Sequence, residues 1–372
     1  MIGAYRETLQ LLELVGSVDL LERKPLELIL SGFSLRLPRL PSPLHLGIGL
    51  LTAKGLQMRD RFSAARLMHH LHKLRFRLPV DSSVDQLLSQ LHQPGNLVEK
   101  LWSPLCLAAL NTPVELASAQ VFCNVLRDSL TGPRANSDVL LNRNNLGSLL
   151  PDAAANYLVR RDCQIHLCSK VEAITRVAQG FNLAGPEHTC ELVVLAPHPA
   201  RLPDLLAMLP EMANISRQVS EFTWQPILTL WLHFAGALQF PFPMLGLGGS
   251  QDPWAFERND IAPGVVSIVM SAEGPHLNLP AEQLRDEYVV LLARRIGPLP
   301  KLTNWKTIIE KRATFACIPN QQRPDTRSPI QGLYLAGDYT TGTDPTTTYP
   351  ATIEGAVRSG VECARLILAD RK

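Results

Sequence analysis

Residues 332–360 read GLYLAGDYTTGTDPTTTYPATIEGAVRSG, and this stretch decides the predicted fold. The apolar run Leu333–Ala336 predicts a buried strand, which ends at Gly337 and Asp338. A threonine-rich loop follows, and Pro350 predicts the start of a helix. The segment is therefore predicted to form a strand, a turn and a helix.

This arrangement is typical of a nucleotide-type site. An acid at the carboxyl end of a strand can bind ligand hydroxyls, and the N-terminus of the next helix attracts an anion or an electron-rich ring. Gly355 and Gly360 would let the helix approach a sheet or cofactor closely. Its predicted apolar side contains Ile353, Val357, Val361, Ala364 and Ile367. An ordinary βα unit in which Asp338 is only a cap is the alternative.

The composition narrows the class of protein. The 372 residues are 46% hydrophobic and 19% charged, with a formal net charge of +2, which excludes a disordered chain and a nucleic-acid tail. The seven cysteines form no CxxC pair, which favours a reduced, cytoplasmic protein without a disulfide framework or a metal site. We therefore expect no nucleic-acid partner.

Two segments leave membrane contact open. Residues 54–77 carry seven Lys or Arg and one Asp, which predicts a basic amphipathic helix with a solvated face, or contact with an anionic membrane as the alternative. Residues 222–251 contain no charged side chain, but their prolines argue against a membrane span. We expect a buried strand at 227–234 followed by an apolar loop, which could line a ligand pocket or face a membrane.

The remaining pattern changes along the chain. The first 150 residues are predicted to be mostly helical, beginning with an amphipathic helix almost at residue 1. Short strands are predicted at 164–167, 171–177, 180–183, 190–196, 227–234 and 265–271, and a helix at 280–296. We expect the 190–196 strand to be buried on both faces, as in an α/β sheet.

The 332–360 segment resembles the C-terminal flavin motif of the amine oxidase and phytoene desaturase superfamily. The segments IGAYRETL (2–9), LWSPLCLAALNT (101–112), ASAQVFCNVLRDSL (117–130) and 138–150 resemble, within it, the squalene-associated FAD-dependent desaturases, or hydroxysqualene dehydroxylases. The resemblance covers nearly the whole chain. It implies a two-domain α/β flavoprotein with a Rossmann-like FAD/NAD(P)-binding domain and an α+β substrate domain.

The resemblance also implies domain boundaries. Residues 151–197 and 326–372 would belong to the FAD-binding domain. Residues 1–150 and 198–325 would form the substrate domain.

Site residues follow from the same resemblance. Asp338, after Gly337, would bind the ribityl and phosphate region of FAD. The backbone of Ala351, Thr352 and Ile353 would face the isoalloxazine ring and the pyrophosphate. The backbone of Val171 would meet the adenine.

One family feature is missing from these 372 residues. Such flavoproteins begin with a βαβ unit that carries GxGxxG. Here Gly47-Ile48-Gly49 and Gly246-Leu247-Gly248 lack the third glycine and follow no clear strand, so both are interpreted as chance matches. We expect a chain that begins downstream of the fingerprint, with an upstream segment or a separate chain supplying the missing unit.

The implied reaction is reductive dehydroxylation of hydroxysqualene to squalene in hopanoid biosynthesis, with an isoprenoid lipid as substrate and FAD as cofactor. A carotenoid-type desaturase and an inactive fragment that retains a lipid-binding domain are the alternatives. Tyr5, Arg143 and Asp338 are considered as participants in catalysis, but a structural role is favoured for each, and the catalytic residues stay unknown. A cytoplasmic location, with peripheral attachment to the inner face of the membrane left open, is the expectation.

Overall fold

The computed structural model describes residues 1–142, 144–248, 253–341 and 347–371. The helices are α1 (Arg6–Val15), α2 (Leu44–Thr52), α3 (Met58–Lys73), α4 (Val84–Gln90), α5 (Gly95–Leu97), α6 (Ser103–Leu110), α7 (Ala119–Leu126), α8 (Leu146–Leu149), α9 (Pro151–Val159), α10 (Leu202–Leu206), α11 (Ala213–Ser220), α12 (Ala281–Ile296) and α13 (Ile353–Asp370). Short 3₁₀ turns cover Val18–Leu20, Arg134–Ser137, Pro199–Arg201, Pro210–Met212 and Pro275–Asn278, and π-helical turns cover Val98–Trp102 and Arg127–Thr131.

The strands are β1 (Leu21–Lys24), β2 (Glu27–Leu30), β3 (Phe33–Arg36), β4 (Val139–Asn142), β5 (Ala173–Val177), β6 (Gly180–Ala184), β7 (His188–Cys190), β8 (Val193–Leu195), β9 (Trp224–Phe234), β10 (Met244–Gly246), β11 (Trp254–Glu257), β12 (Val265–Ser271), β13 (Leu302–Phe315) and β14 (Leu333–Leu335). β8 and β14 pair in parallel, and the other named pairs are antiparallel. The mixture of helices and strands agrees with the predicted α/β class.

The chain divides into two compact units. The first contains Met1–Ala4, Leu20–Asn145 and Trp224–Pro319, and the second contains Tyr5–Asp19, Leu146–Thr223 and Asn320–Lys372. Each unit therefore combines segments that are distant in sequence. The functional roles assigned to the four sequence segments stay predictions.

The first unit contains a five-stranded antiparallel sheet in the order β10-β11-β12-β9-β13. The alternating burial of β9 places Leu228, Leu230 and Leu232 in one core, where α12 contributes Leu284 and Leu292. This period of two is what a strand with one buried face requires. A second core contains buried side chains from β2, β3 and the helices α3 to α7.

The second unit contains the parallel pair β8-β14 and the antiparallel meander β5-β6-β7. Helix α1 packs against α13 and α9. All three residues of β14 are buried, whereas Val194 at the centre of β8 is 42% exposed. No described strand pairs with the second edge of β8.

Several predicted elements are confirmed. The N-terminal helix is α1, the basic helix is α3, and the strands expected at 180–183, 227–234 and 265–271 are β6, β9 and β12. The helix expected at 280–296 is α12. The two short glycine motifs are chance matches, because Gly47 and Gly49 lie inside α2 and Gly246 ends β10.

Other predictions are wrong. Residues 164–167 form no strand, since 161–170 are all exposed and lack a strand partner in the described structure. The 171–177 strand begins only at Ala173. The 190–196 run is split between β7 and β8, and the exposure of Val194 contradicts burial on both faces.

None of the helices in the described ranges is long and apolar enough to cross a membrane.

Candidate functional site

The predicted strand is β14, the turn after it lies in residues 336–341, and the predicted helix is α13. Residues 347–352 lead into the start of α13. β14 lies in register with β8, with Leu333 opposite Val193 and Leu335 opposite Leu195. The N–H of Ala336 donates to the carbonyl of Leu195 at 2.9 Å, which extends the pairing to the turn. Gly337 and Asp338 therefore leave the sheet at the carboxyl end of a buried parallel strand, where open α/β sheets bind ligands.

Gly337 is required by the geometry of the turn. Its φ is 156°, and a Cβ at this position would overlap the ring of Tyr339. Its N–H donates to Ser359 Oγ of α13 at 2.6 Å, and the hydroxyl of Tyr339 donates to the carbonyl of Leu195 at 3.3 Å. These two bonds fix the turn to both α13 and β8.

Asp338 is half-buried in this turn. Burial raises the pKa of its carboxyl group, while the nearby charges of Arg323 and His198 and the backbone N–H groups of Asp338 and Tyr339 act in the opposite direction. Desolvation and the cationic neighbours therefore shift the pKa of this carboxyl group in opposite directions.

Arg323 is a residue that the sequence analysis missed. It is only 7% exposed, and its Nη1 donates to the carbonyl of Tyr349 at 2.7 Å and to that of Asp338 at 3.5 Å. The guanidinium of Arg323 thus joins the turn after β14, at Asp338, to the segment before α13, at Tyr349. A single arginine before Pro324 has no sequence pattern that separates it from a surface arginine.

The N-terminus of α13 is capped by Thr352, whose Oγ1 accepts from the N–H of Gly355 at 3.2 Å. The helix therefore begins at Ile353, and not at Pro350 as predicted. Within the described part of the chain, the N–H groups of Ile353 and Glu354 have no hydrogen-bond acceptor, as is usual in a first turn. Ala351, Thr352 and Ile353 are half-buried.

The buried face of α13 differs from the prediction. It is formed by Glu354, Gly355, Ser359 and Cys363, whereas Ala364 is exposed. Gly355 is closely packed, because a Cβ there would lie 3.1 Å from the carbonyl oxygen of Pro350. Gly360 faces open space, so the expected close approach at this glycine is wrong.

Glu354 is fully buried, and the sequence analysis did not assign it a role. Its carboxylate accepts from the N–H groups of Glu7 and Thr8 at 3.3 and 3.0 Å, from Thr8 Oγ1 at 2.8 Å, and from Arg358 Nε at 2.7 Å. It therefore acts as the anion at the N-terminus of α1. The signal was present, because a glutamate four residues before an arginine predicts an ion pair on a helix.

The structure describes two of the three residues that were considered as participants in catalysis. Burial raises the pKa of the Tyr5 hydroxyl, the nearby Thr352 side chain lowers it, and the charge of Glu354 raises it further. Tyr5 and Asp338 therefore both belong to the second unit, around the ends of β14 and α13. Arg143 lies outside the described residues.

Val171 lies two residues before β5 and is half-buried. Its neighbour Glu172 donates its N–H to the carbonyl of Ala184 at 2.9 Å, which starts the meander. Among the described residues, no hydrogen bond joins Val171 to Asp338 or to the start of α13. Its role towards adenine stays a prediction. The described residues contain no group of three His, Cys, Asp or Glu side chains suited to a metal.

The donor set of this site fits a flavin. Asp338 offers carboxylate oxygens to hydroxyl groups, and the first N–H groups of α13 suit an anion or an electron-rich ring. The one carboxylate in the first turn of α13 belongs to Glu354, and Arg358 and the N-terminus of α1 neutralise its charge. It therefore does not repel an anionic ligand.

Comparisons with known proteins agree with this geometry. A family model described as flavin containing amine oxidoreductase matches residues 5–368. The chain is 30% identical over 292 residues to the hydroxysqualene dehydroxylase of Sinorhizobium fredii, covering 74% of this chain and 64% of that protein. It is also 30% identical over 286 residues to the enzyme of that name from Rhodopseudomonas palustris, covering 74% and 63%. The chain thus spans less than two thirds of these relatives. A 15-cis-phytoene desaturase of Glycine max is 42% identical over 72 residues, which cover 19% of this chain and 12% of that one.

Solved structures share the fold at low sequence identity. A putrescine oxidase triple mutant has a TM-score of 0.68 at 13% identity, covering 98% of this chain and 86% of that chain. A putative protoporphyrinogen oxidase from Exiguobacterium sp. 255-15 has a TM-score of 0.64 at 15% identity, covering 99% and 86%. These likenesses confirm the fold, and the family match confirms the resemblance of the motif. The chain belongs to the family of flavin-containing amine oxidoreductases.

Proposed function

We propose that this chain binds FAD at the turn after β14 and at the N-terminus of α13, and that it acts as an FAD-dependent oxidoreductase on a C30 isoprenoid. The reaction is the reductive dehydroxylation of hydroxysqualene to squalene in hopanoid biosynthesis. The similarity to two hydroxysqualene dehydroxylases over 74% of the chain supports the substrate class. The position of Asp338, between a buried parallel strand and a helix N-terminus, is the observation that carries the cofactor proposal.

In this proposal, the chain's own residues hold the cofactor. Asp338, next to Gly337, binds the ribityl and phosphate region by accepting hydrogen bonds from the ribityl hydroxyl groups. The backbone of Ala351, Thr352 and Ile353 faces the isoalloxazine ring and the pyrophosphate, and the backbone of Val171 meets the adenine. Glu354 orients the first turn of α13 through its bonds to the N-terminus of α1 and to Arg358.

When bound in its reduced form, the flavin would supply two electrons as a hydride to the allylic carbon, and the hydroxyl group would leave as water with a proton from a donor in the site. The barrier lies in breaking the C–O bond, so the site needs a proton donor and tolerance of allylic cation character.

The edge of β8 supports a second part of the proposal. β8 pairs with β14 along one edge, and no described strand covers the other edge. Because parallel sheets are normally covered and seldom have two strands, we propose that a dinucleotide-binding segment with GxGxxG, upstream or on a separate chain, pairs there. The N–H and C=O groups of Val194, which point to that edge, would then be paired.

Turnover with defined substrates tests the proposed reaction. The chain is incubated anaerobically with FAD, dithionite and hydroxysqualene, and the products are analysed by mass spectrometry. We expect squalene, and none from a sample that lacks FAD. Absence of squalene, also after addition of the segment with GxGxxG, would contradict the proposal.

A desaturase is the second candidate, favoured by the 42% identity to 15-cis-phytoene desaturase over 72 residues. In that reaction the substrate is oxidised, so phytoene and oxidised FAD should give a more unsaturated product. Formation of this product without any conversion of hydroxysqualene would favour the desaturase.

A further inference from the structure

Helix α2 exposes an apolar surface. Leu44, Ile48 and Leu51 are 57%, 38% and 54% exposed, and their spacing of four and three residues places them on one face of the helix. Large apolar side chains on one face are typical of an interaction site. The opposite side of α2 contains the buried residues His45 and Gly49.

The apolar surface continues onto α3. Arg61 donates to the carbonyls of Leu51 and Ala53, and its Nη1 lies 3.6 Å from the sulfur of Met58. Met58 and Phe62 are 51% and 67% exposed and are one helical turn apart. We call the five side chains of Leu44, Ile48, Leu51, Met58 and Phe62 the α2–α3 apolar stripe.

A cationic cavity adjoins the stripe at Phe62. It has a volume of about 580 Å³ and is lined by Arg59, Phe62, Ser63, Arg66, His92 and Pro94. Arg59, Phe62 and Arg66 follow each other by three and four residues, so they share the outer face of α3. We call this the α3 cavity.

The polar groups of the α3 cavity are arranged for an anion. Arg66 is oriented by a bond from its Nη2 to the carbonyl of Leu91 at 3.4 Å. Ser63 is 7% exposed, and its hydroxyl has no hydrogen-bond partner among the described residues. A buried hydroxyl without a partner is costly, and a phosphate oxygen would satisfy it.

The one acidic residue of α3 does not line the cavity. Asp60 is 1% exposed, and its Oδ2 accepts from the N–H of Gln57 at 3.0 Å and from Asn96 Nδ2 at 2.8 Å. It caps the start of α3 and faces away from the outer surface. The outer face of α3 therefore presents positive charge beside exposed apolar side chains.

We propose that the α2–α3 apolar stripe and the α3 cavity form one surface that docks this chain on an anionic lipid bilayer. Arg59, Arg66 and Ser63 hold one lipid phosphate, while the stripe inserts among the upper parts of the acyl chains. The charge of the cavity selects anionic lipid, and the exposed apolar side chains beside it select a bilayer over a soluble anion. This inference does not rest on the proposed flavin chemistry.

Cosedimentation with vesicles tests the charge requirement. We compare vesicles of phosphatidylcholine alone with vesicles that also contain phosphatidylglycerol. The wild-type chain should bind only the latter, and added salt should weaken binding. The double variant Arg59→Gln/Arg66→Gln should bind about thirtyfold more weakly, which is about fivefold for each arginine. The control variant Arg160→Gln/Arg365→Gln changes two exposed arginines elsewhere and should bind like the wild type.

Two further variants separate a bilayer from other partners. The variant Phe62→Trp places a tryptophan in the stripe. Lipids with brominated acyl chains should quench its fluorescence, and the wild-type protein gives the signal of the native tryptophans for comparison. Ser63→Ala should weaken vesicle binding without lowering the unfolding midpoint, because it removes a hydroxyl that has no partner in the free chain.

Three results would overturn the proposal. One is equal binding of the wild type to both kinds of vesicle, or binding to neither. Another is arginine-dependent binding without quenching of Phe62→Trp, which would indicate a soluble anion site. The third is a dimer in sedimentation that Phe62→Ser dissociates while vesicle binding is unchanged, which would make the stripe an interface between two copies.

Discussion

Glu354 shows how a single buried charge orders the proposed site. Its carboxylate accepts four hydrogen bonds that link the first turn of α13 to the N-terminus of α1 and to Arg358. Arg358 in turn stacks over the ring of Tyr349, with its guanidinium carbon 4.0 Å from the ring centroid. The segment before α13 and the helix α1 are therefore positioned by the same residue pair.

Replacing Glu354 should loosen both helices. Glu354→Gln removes the charge that balances Arg358 and one acceptor oxygen at the start of α1, which should cost roughly 3 kcal/mol of local stability. Hydrogen exchange of peptides from α1 and α13 should become faster by the factor to which this loss of free energy corresponds. The matched control is Glu362→Gln on the same helix, whose side chain is 50% exposed and 3.9 Å from Arg365. Its effect should stay within about 0.5 kcal/mol, and an equal effect of both variants would contradict this role of Glu354.

Asp338 should make the stability of the apoprotein depend on pH. Burial raises its pKa in the folded chain, so the folded state holds this proton more tightly than the unfolded state, where the pKa is about 3.9. The stabilising contribution is present below about pH 3.9 and is lost as the pH rises through the raised pKa. Asp338→Asn should remove this step from the pH profile of unfolding.

Arg323 provides a second test of the same step. Its positive charge lowers the pKa of Asp338 against the effect of burial. Arg323→Gln should therefore move the step to higher pH, and the ¹³C titration of the Asp338 carboxyl, assigned with Asp338→Asn, measures this directly. The exposed Asp204 serves as control, since Asp204→Asn should leave the step in place. A titration that is unchanged in Arg323→Gln would contradict the coupling.

The first turn of α13 is the element on which the proposed cofactor site depends most. Thr352 caps it, and the Thr352 hydroxyl also donates to the carbonyl of Pro350 at 3.3 Å. Thr352→Ala should cost about 1 kcal/mol, and amide exchange at Gly355 should rise roughly fivefold. Thr352→Ser keeps the oxygen and should exchange like the wild type. Equal exchange in all three proteins would show that the cap is unimportant.

The elements differed in how well the sequence predicted them. β9, β12 and α12 were predicted because their apolar residues follow one clear period and meet one core. The start of α13 was predicted three residues early, because Pro350 favours a helix start but Thr352 makes the capping bond. Residues 164–167 have a strand-like composition without a partner strand, which only the tertiary structure can supply.

The candidate site was predicted in part. Asp338 and the N-terminus of α13 follow from the strand, turn and helix pattern, and the structure brings them together through Gly337 and Ser359. Arg323 was missed because its contacts are to backbone carbonyls, which leave no trace in side-chain patterns. Glu354 was missed although its spacing to Arg358 was visible.

At the scale of the whole molecule, the chain consists of two units, and the proposed cofactor residues all belong to the second one. That unit also contains the open edge of β8, where we propose that a segment with GxGxxG pairs. Adding such a segment should protect the amide of Val194 from hydrogen exchange, because this amide points to the open edge, whereas that of Val193 already donates to the carbonyl of Gly332. A segment whose glycines are replaced by valines serves as control for the nucleotide contacts, and should protect the edge without raising FAD affinity. Absence of protection by either segment would contradict the proposed pairing.

Equilibrium dialysis of FAD against the wild-type chain and Asp338→Asn tests the central claim most directly. If the turn after β14 and the N-terminus of α13 hold the flavin, the wild type should bind FAD saturably, and loss of the charged hydrogen bond should weaken binding roughly tenfold to a hundredfold. Asp204→Asn should bind like the wild type. Saturable binding that is equal in the wild type and Asp338→Asn, or no binding by the wild type, would contradict the claim.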